Sequence, residues 1–185
     1  MESLFKTIDQ FLMLSPEIQE SLSAKTKVRN LKKKELLLEP NKHIHSIFFV
    51  NRGLLRGFFY QKRKDITTWF SLEGEIITSI SSLITGKPSL EGIEALEDCE
   101  LGEISYEDLN QLYQTFPELN KLGRMLMEFY YIELEERAIH FQFKTAKERY
   151  EYFLSKYSQA FHRIPLTHIA SYLGITKETL SRIRS

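Results

Sequence analysis

The sequence predicts an α+β fold in three parts: a β sandwich or barrel behind short N-terminal helices, one long helix, and a small helical unit at the C-terminus. Three observations predict it. Between Thr26 and about Ser105 the chain breaks into short runs rich in Val, Ile, Leu and Phe, separated by polar turns. After Tyr106 the apolar period lengthens to that of a helix. The last stretch, LTHIASYLGITKETLSRIRS, can be laid onto a helix-turn-helix position by position.

The elements follow in order. Leu4, Ile8, Phe11 and Leu12 recur at helical spacing, and Ser15-Pro16 restarts a second helix with proline at its first position, so residues 3 to about 24 are helical. KVRNL, ELLLEP, HSIFFVNRG, LLRGFFY, DITTWFS, EIITSI, EGIEALE and CELGEIS then have the length and spacing of the strands of a sandwich or barrel. Gly53, Gly57, Gly74 and Gly86 are expected in or beside the connections, where a positive φ costs glycine little. Phe116-Pro117 opens a long helix to about His140. Along it Leu122, Met125, Phe129, Ile132, Glu136, Ile139 and Phe143 alternate three and four apart, the spacing of a dimer seam, although packing on its own domain would demand the same stripe. TAKERYEYFLSKY is a further amphipathic helix. The domain boundaries read as 1–116, 117–143 and 144–185.

Charge separates the same parts. The whole chain is formally neutral, with 25 basic and 25 acidic residues. From His140 to Ser185, however, eight Lys and Arg stand against three Glu, so the tail carries +5 and the rest −5. A basic tail on an acidic body suits a modular DNA binder, since phosphate neutralisation needs positive charge only on the contacting face. The single Cys99 excludes an internal disulfide framework, a cysteine-ligated zinc finger and a four-cysteine iron–sulfur cluster. An acidic residue at position 2 and the lack of a basic n-region argue against a secretory signal, and no apolar run approaches the ~20 residues of a membrane span. A cytoplasmic protein with no membrane partner is expected.

In the terminal motif Ile169, Leu173, Ile175, Leu180 and Ile183 supply the contact between two helices, and Ala170 sits where they approach most closely. Gly174 ends the first helix in the left-handed region, and Thr176 caps the second. That second helix presents Lys177, Glu178, Thr179, Arg182 and Arg184. Arg can pair bidentately with guanine and Glu can accept from cytosine, and Glu178 and Arg182 lie four apart on one face.

IASYLGITKETLSRI resembles the recognition segment of the Crp/Fnr family of bacterial transcription regulators, and the resemblance extends over nearly the whole chain. Thr176, Glu178, Thr179 and Arg182 match the family's run, with Lys177 where Arg is usual. By position Glu178 and Arg182 inherit base reading, while Lys177 keeps phosphate charge without a planar fork. ELLLEPNKHIHSIFFVNRGLLRGF, EGEI and CELGEISYEDL are similar to the family's cyclic-nucleotide-binding jelly roll, followed by its dimerisation helix. The resemblance implies a homodimer on double-stranded, palindromic DNA, with RNA polymerase as a further candidate partner.

Two departures accompany it. Gly74-Glu75 match the start of the family's phosphate cassette, but Ser89 and Leu90 stand where its Arg-Ser pair holds the cyclic phosphate. A buried phosphate without a cation costs several kcal/mol, so cyclic AMP is not an expected effector and no cofactor is expected. Family members also continue past the recognition helix into a β-hairpin wing; here the sequence stops at Ser185, through loss of the wing or a shortened molecule.

The residues leave two other readings. His43-Ile44-His45 on a jelly-roll strand invites a cupin-type metalloenzyme, but Phe49 and Val50 stand where its Glu belongs and no His occurs between 46 and 139, so no enzyme is expected. A dimeric scaffold or sensor without specific DNA binding is the alternative function.

Overall fold

The computed structural model describes residues 2–62 and 64–184. Two short helices lead in, α1 (Glu2–Ile8) and α2 (Pro16–Lys25). The Ser15 hydroxyl caps α2 by accepting from the Ile18 amide at 3.4 Å. Phe11 and Leu12 lie past the end of α1, which closes in a turn at Ile8, so this part of the helical expectation is corrected.

Eight strands follow: β1 (Lys27–Leu31), β2 (Leu36–Leu38), β3 (Ser46–Arg52), β4 (Leu55–Gln61), β5 (Lys64–Ser71), β6 (Ile76–Ile77), β7 (Glu91–Ala95) and β8 (Cys99–Ser105). They form two antiparallel sheets, in the orders β1-β8-β3-β6 and β2-β7-β4-β5. The alternation of strands between the sheets is that of a jelly roll. Leu31, Leu38, Phe48, Val50, Leu55, Ile77, Ile93, Ala95 and Leu101 fill the space between them.

Two expectations for the strands change. EIITSI holds only two strand residues, because Ser79 turns the chain into α3 (Ile80–Thr85), which Gly86 ends at φ 67° with its N–H on the Ser82 carbonyl. Gly57 lies inside β4 and has no positive φ. It is needed for space: a Cβ there would fall inside the indole of Trp69, its partner on β5.

Helix α4 (Tyr106–Thr115) and the long α5 (Pro117–Phe143) cross the barrel, and Leu109, Leu112, Leu119 and Leu122 join Leu4, Ile8, Ile18 and Leu22 in a second core. The three C-terminal helices are α6 (Ala146–Lys156), α7 (Leu166–Leu173) and α8 (Lys177–Arg184), with a single 3-10 turn over Phe161–Arg163. Thr145 and Glu148 form a reciprocal capping box at the start of α6.

These helices do not stand apart from the barrel. Phe153 is fully buried among Phe70, Tyr157, Phe161 and Tyr172. Leu54, Phe70 and Leu96 of the barrel belong to the same cluster as Ile169, Leu173 and Leu180. Among the described residues no helix is long and apolar enough to cross a membrane.

Candidate nucleic-acid interface and barrel interior

The terminal motif is built from the turn outward. Gly174 adopts φ 67°, ψ 34°, and the Ile175 amide reaches back to the Ala170 carbonyl at 3.0 Å, which closes the C-terminus of α7 and reverses the chain. The Thr176 hydroxyl then accepts from the Thr179 amide at 3.2 Å and caps α8. Ile169, Ala170, Leu173 and Leu180 are buried, with Ile175 and Ile183 packed against them, so the apolar positions meet in one cluster.

On the outer side Lys177, Glu178, Arg182 and Arg184 are exposed and Thr179 is half-buried. Arg182 donates to the Thr179 hydroxyl at 3.2 Å, which holds its guanidinium along the helix. The Glu178 carboxyl is held below its ordinary range, by its own backbone amide first and then by the Thr176 hydroxyl, so it is an acceptor at neutral pH. Arg184 differs from its neighbours: its guanidinium lies over the Phe161 ring at 5.5 Å, which draws it toward the body.

The stripe on α5 divides. Leu122 is 5% exposed and packs into the second core with Leu119, and Phe129 meets Phe11 edge-on at 5.4 Å. The seam expectation is corrected for Leu122, which the chain's own helices cover, whereas Phe129 keeps 43% of its surface exposed. Met125 is half-buried, and Glu136 is exposed and accepts from the Tyr152 hydroxyl at 3.1 Å. On either side of it Ile132, Ile139 and Phe143 are 54%, 45% and 74% exposed, on the flank left uncovered.

The cassette residues also part company. Gly74 has φ 87°, and Glu75 is half-buried, its carboxyl pushed up by burial despite Lys156 nearby. Ser89 is buried, and its hydroxyl is occupied locally: it meets the Ser79 hydroxyl at 2.8 Å and the Glu91 amide and carbonyl at 3.0 Å each. Leu90 is 71% exposed. His43 and His45 are exposed rings stacked 6.0 Å apart, and no group of three metal-ligating side chains gathers among the described residues.

Sequence reasoning missed what holds the helical unit to the barrel. The edge strand β5 takes contacts from the helical unit: the Thr67 amide donates to the Ser171 hydroxyl on α7 at 3.0 Å, and the hydroxyl of Tyr157, just past α6, donates to the Phe70 carbonyl at 3.4 Å. Arg163 bridges to Glu73 at 2.7 and 3.1 Å and to Glu97 at 3.2 Å. Arg56, 3% exposed, is bonded to Glu94 at 2.7 Å, to Thr67 at 3.0 Å and to Asp65. In the sequence Arg163 is one more positive charge of the basic tail and Arg56 one more polar strand residue. Neither carries a local sign of its partner.

It missed the barrel interior as well. Glu91, Ile93 and Ala95 share one face of β7, and the latter two lie in the barrel core. The Trp69 indole N–H donates to the Glu91 carboxylate at 2.6 Å, so an acid occupies the inner surface two residues from Ser89. Tyr60 is exposed, while Phe58 and Phe70 are buried.

Comparison with known proteins gives a consistent picture. A family described as the cyclic nucleotide-binding domain matches residues 28–116. The transcriptional activator protein Anr of Pseudomonas aeruginosa is 29% identical over 185 residues, covering 93% of this chain and 75% of that protein. FixK2 of Bradyrhizobium japonicum superposes with a TM-score of 0.74 at 21% identity, over 86% of this chain and 82% of that one. The c-di-GMP-responsive regulator CLP of Xanthomonas campestris gives 0.74 at 18%, over 91% and 89%. The last two are likenesses of fold.

Proposed function

We propose that this chain, which resembles the Crp/Fnr family of transcription regulators, reads a palindromic site on double-stranded DNA as a homodimer. The observation that carries the reading is the outer face of α8, where Glu178 and Arg182 stand exposed on a capped helix delivered by a left-handed glycine. Lys177 adds charge at the helix start, where phosphate is met. The exposed flank of α5 at Ile132, Ile139 and Phe143 supports pairing of two copies, which sets two recognition helices about one turn, ~34 Å, apart. Contact with RNA polymerase is part of the same proposal.

Cyclic AMP is a poor candidate effector. No cation stands at Ser89 or Leu90, and the Glu91 carboxylate on the inner wall adds a repulsive charge where a cyclic phosphate would lie.

The test is selection of bound duplexes from a random DNA pool by the purified protein and by Arg182→Ala. Enrichment of a palindrome that the variant relaxes at one base pair per half-site, by about 1–3 kcal/mol, is expected. Equal enrichment by both proteins would remove Arg182 from base reading, and no enrichment with salt-sensitive retention would favour the scaffold.

A further inference from the structure

One group of cations in the acidic body lies where the barrel meets the helix-turn-helix. Between Tyr60 and Asp65 the sequence runs Gln61-Lys62-Arg63-Lys64, of which Arg63 lies outside the described residues. Gln61 on β4 pairs with Lys64 on β5 across the end of this hairpin, and Lys62 and Lys64 are exposed. The acid beside them in sequence, Asp65, is bound to the buried Arg56 guanidinium, so its charge is already matched. Lys62 takes φ 47°, a left-handed conformation that asparagine or glycine adopts at less cost in a tight hairpin turn. A long cation thus stands where turn chemistry alone favours a short residue.

The same hairpin touches the helix-turn-helix. The Ser171 hydroxyl on α7 donates to the Asp65 carbonyl at 3.5 Å and accepts from the Thr67 amide at 3.0 Å, filling the open edge of β5. Lys64 is therefore one residue from a backbone contact with the first helix of the motif. In such motifs the first helix crosses the nucleic-acid backbone while the second enters the groove, so cations set beside α7 stand where phosphates run. Part of the basic tail's own charge is engaged within the molecule: Arg163 is held by Glu73 and Glu97, and Arg184 lies over the Phe161 ring. Lys62 and Lys64 carry no such bond among the described residues.

We propose that the tip of the β4–β5 hairpin is a second DNA-contacting surface, with Lys62 and Lys64 on the phosphate backbone beside the site that α8 reads. The partner is the phosphodiester backbone of duplex DNA, met without regard to base sequence. The choice of partner follows from charge, because a cationic point on an otherwise acidic body attracts a polyanion. The proposal deepens the reading above and rests on it for the placement of α7 on the duplex.

The test measures binding of a labelled random duplex pool to the full chain between about 50 and 200 mM KCl. Lys62→Gln and Lys64→Gln are compared with wild type and with Lys42→Gln, an exposed lysine in the connection between β2 and β3 that serves as a control of equal charge. Each phosphate contact contributes about 0.9 to the slope of log affinity against log salt. A homodimer carries each lysine twice, so each hairpin variant should lower the slope by about 1.8. Its affinity deficit against wild type should then be about twelvefold greater at the lower salt than at the higher. Lys42→Gln should keep the wild-type slope. In selection from the same pool both hairpin variants should enrich the wild-type palindrome with its base preferences unrelaxed.

A slope unchanged in both hairpin variants overturns the proposal and leaves these cations to an acidic protein surface. A slope lowered equally by Lys42→Gln, tighter binding by either hairpin variant, or a wild type that does not retain the pool overturns it too. Failure of base reading shows separately, as an Arg182→Ala selection that matches wild type while the hairpin variants still lower the slope.

Discussion

Replacing Phe153 by alanine asks whether the barrel and the terminal helices are one folding unit. The ring is 0% exposed and lies against Phe70, Tyr157, Phe161 and Tyr172, with centroids 5.0 to 6.3 Å away. Its removal costs the transfer of a full aromatic side chain plus the cavity left among rigid rings, about 3–5 kcal/mol. The upper half of that range is expected, because four rings cannot collapse into the space as alkyl chains can. Against the 5–15 kcal/mol of an ordinary domain this is a large loss. With a urea slope of about 2 kcal/mol/M it moves the midpoint by about 2 M. The assay is urea unfolding at fixed protein concentration, followed by Trp69 emission for the barrel and by far-UV circular dichroism for the helices. Both transitions should move together. If the ellipticity shifts and Trp69 emission holds, the shared cluster does not couple the two parts and the account of docking is wrong. A loss under about 1 kcal/mol would equally refute it.

Three further predictions bear on separate parts of the molecule. Gly57→Ala drives a methyl into the Trp69 indole; about 1–3 kcal/mol of overpacking is expected, with a red shift of the emission as the Glu91 bond is lost, and an unshifted spectrum would place the indole elsewhere. Ile132→Glu with Ile139→Glu changes exposed positions, so monomer stability should move by no more than about 0.5 kcal/mol while light scattering shows a halved mass. A variant that stays dimeric would move the interface off this flank. Finally, the Glu91 carboxyl is raised on folding to about 7, so its protonated form favours the folded state and stability falls as pH climbs to about 7. Glu91→Gln should remove up to about 3 kcal/mol of that decline between pH 5 and 8, leaving the contribution of Glu75, whose carboxyl burial raises too. Parallel wild-type and variant curves would show that Glu91 does not titrate there.

What could be read from the residues, and what could not, follows from how each feature is encoded. The turn at Gly174, the Thr176 cap and the buried Ile169, Leu173 and Leu180 are set by neighbours within a few positions, so periodicity and capping chemistry exposed them. The same holds for most strands. Gly57 was misplaced because its reason is a side chain across the sheet; glycine reads identically whether it frees φ or makes room. Leu122 reads as a seam residue because the pattern that serves a partner helix also serves the chain's own core, and only the position of α1, α2 and α4 decides between them. The least legible features are the contacts of Arg163 with Glu73 and Glu97, and of Arg56 with Glu94. Their partners lie tens of residues apart, and a charge has no periodicity to betray whom it faces. Of these, the Arg163 contacts tie the segment ahead of α7 to the barrel, whereas Arg56 and Glu94 both lie within it. The orientation of the reading helix therefore depends on the barrel, through Arg163 and through the Ser171 contact with β5.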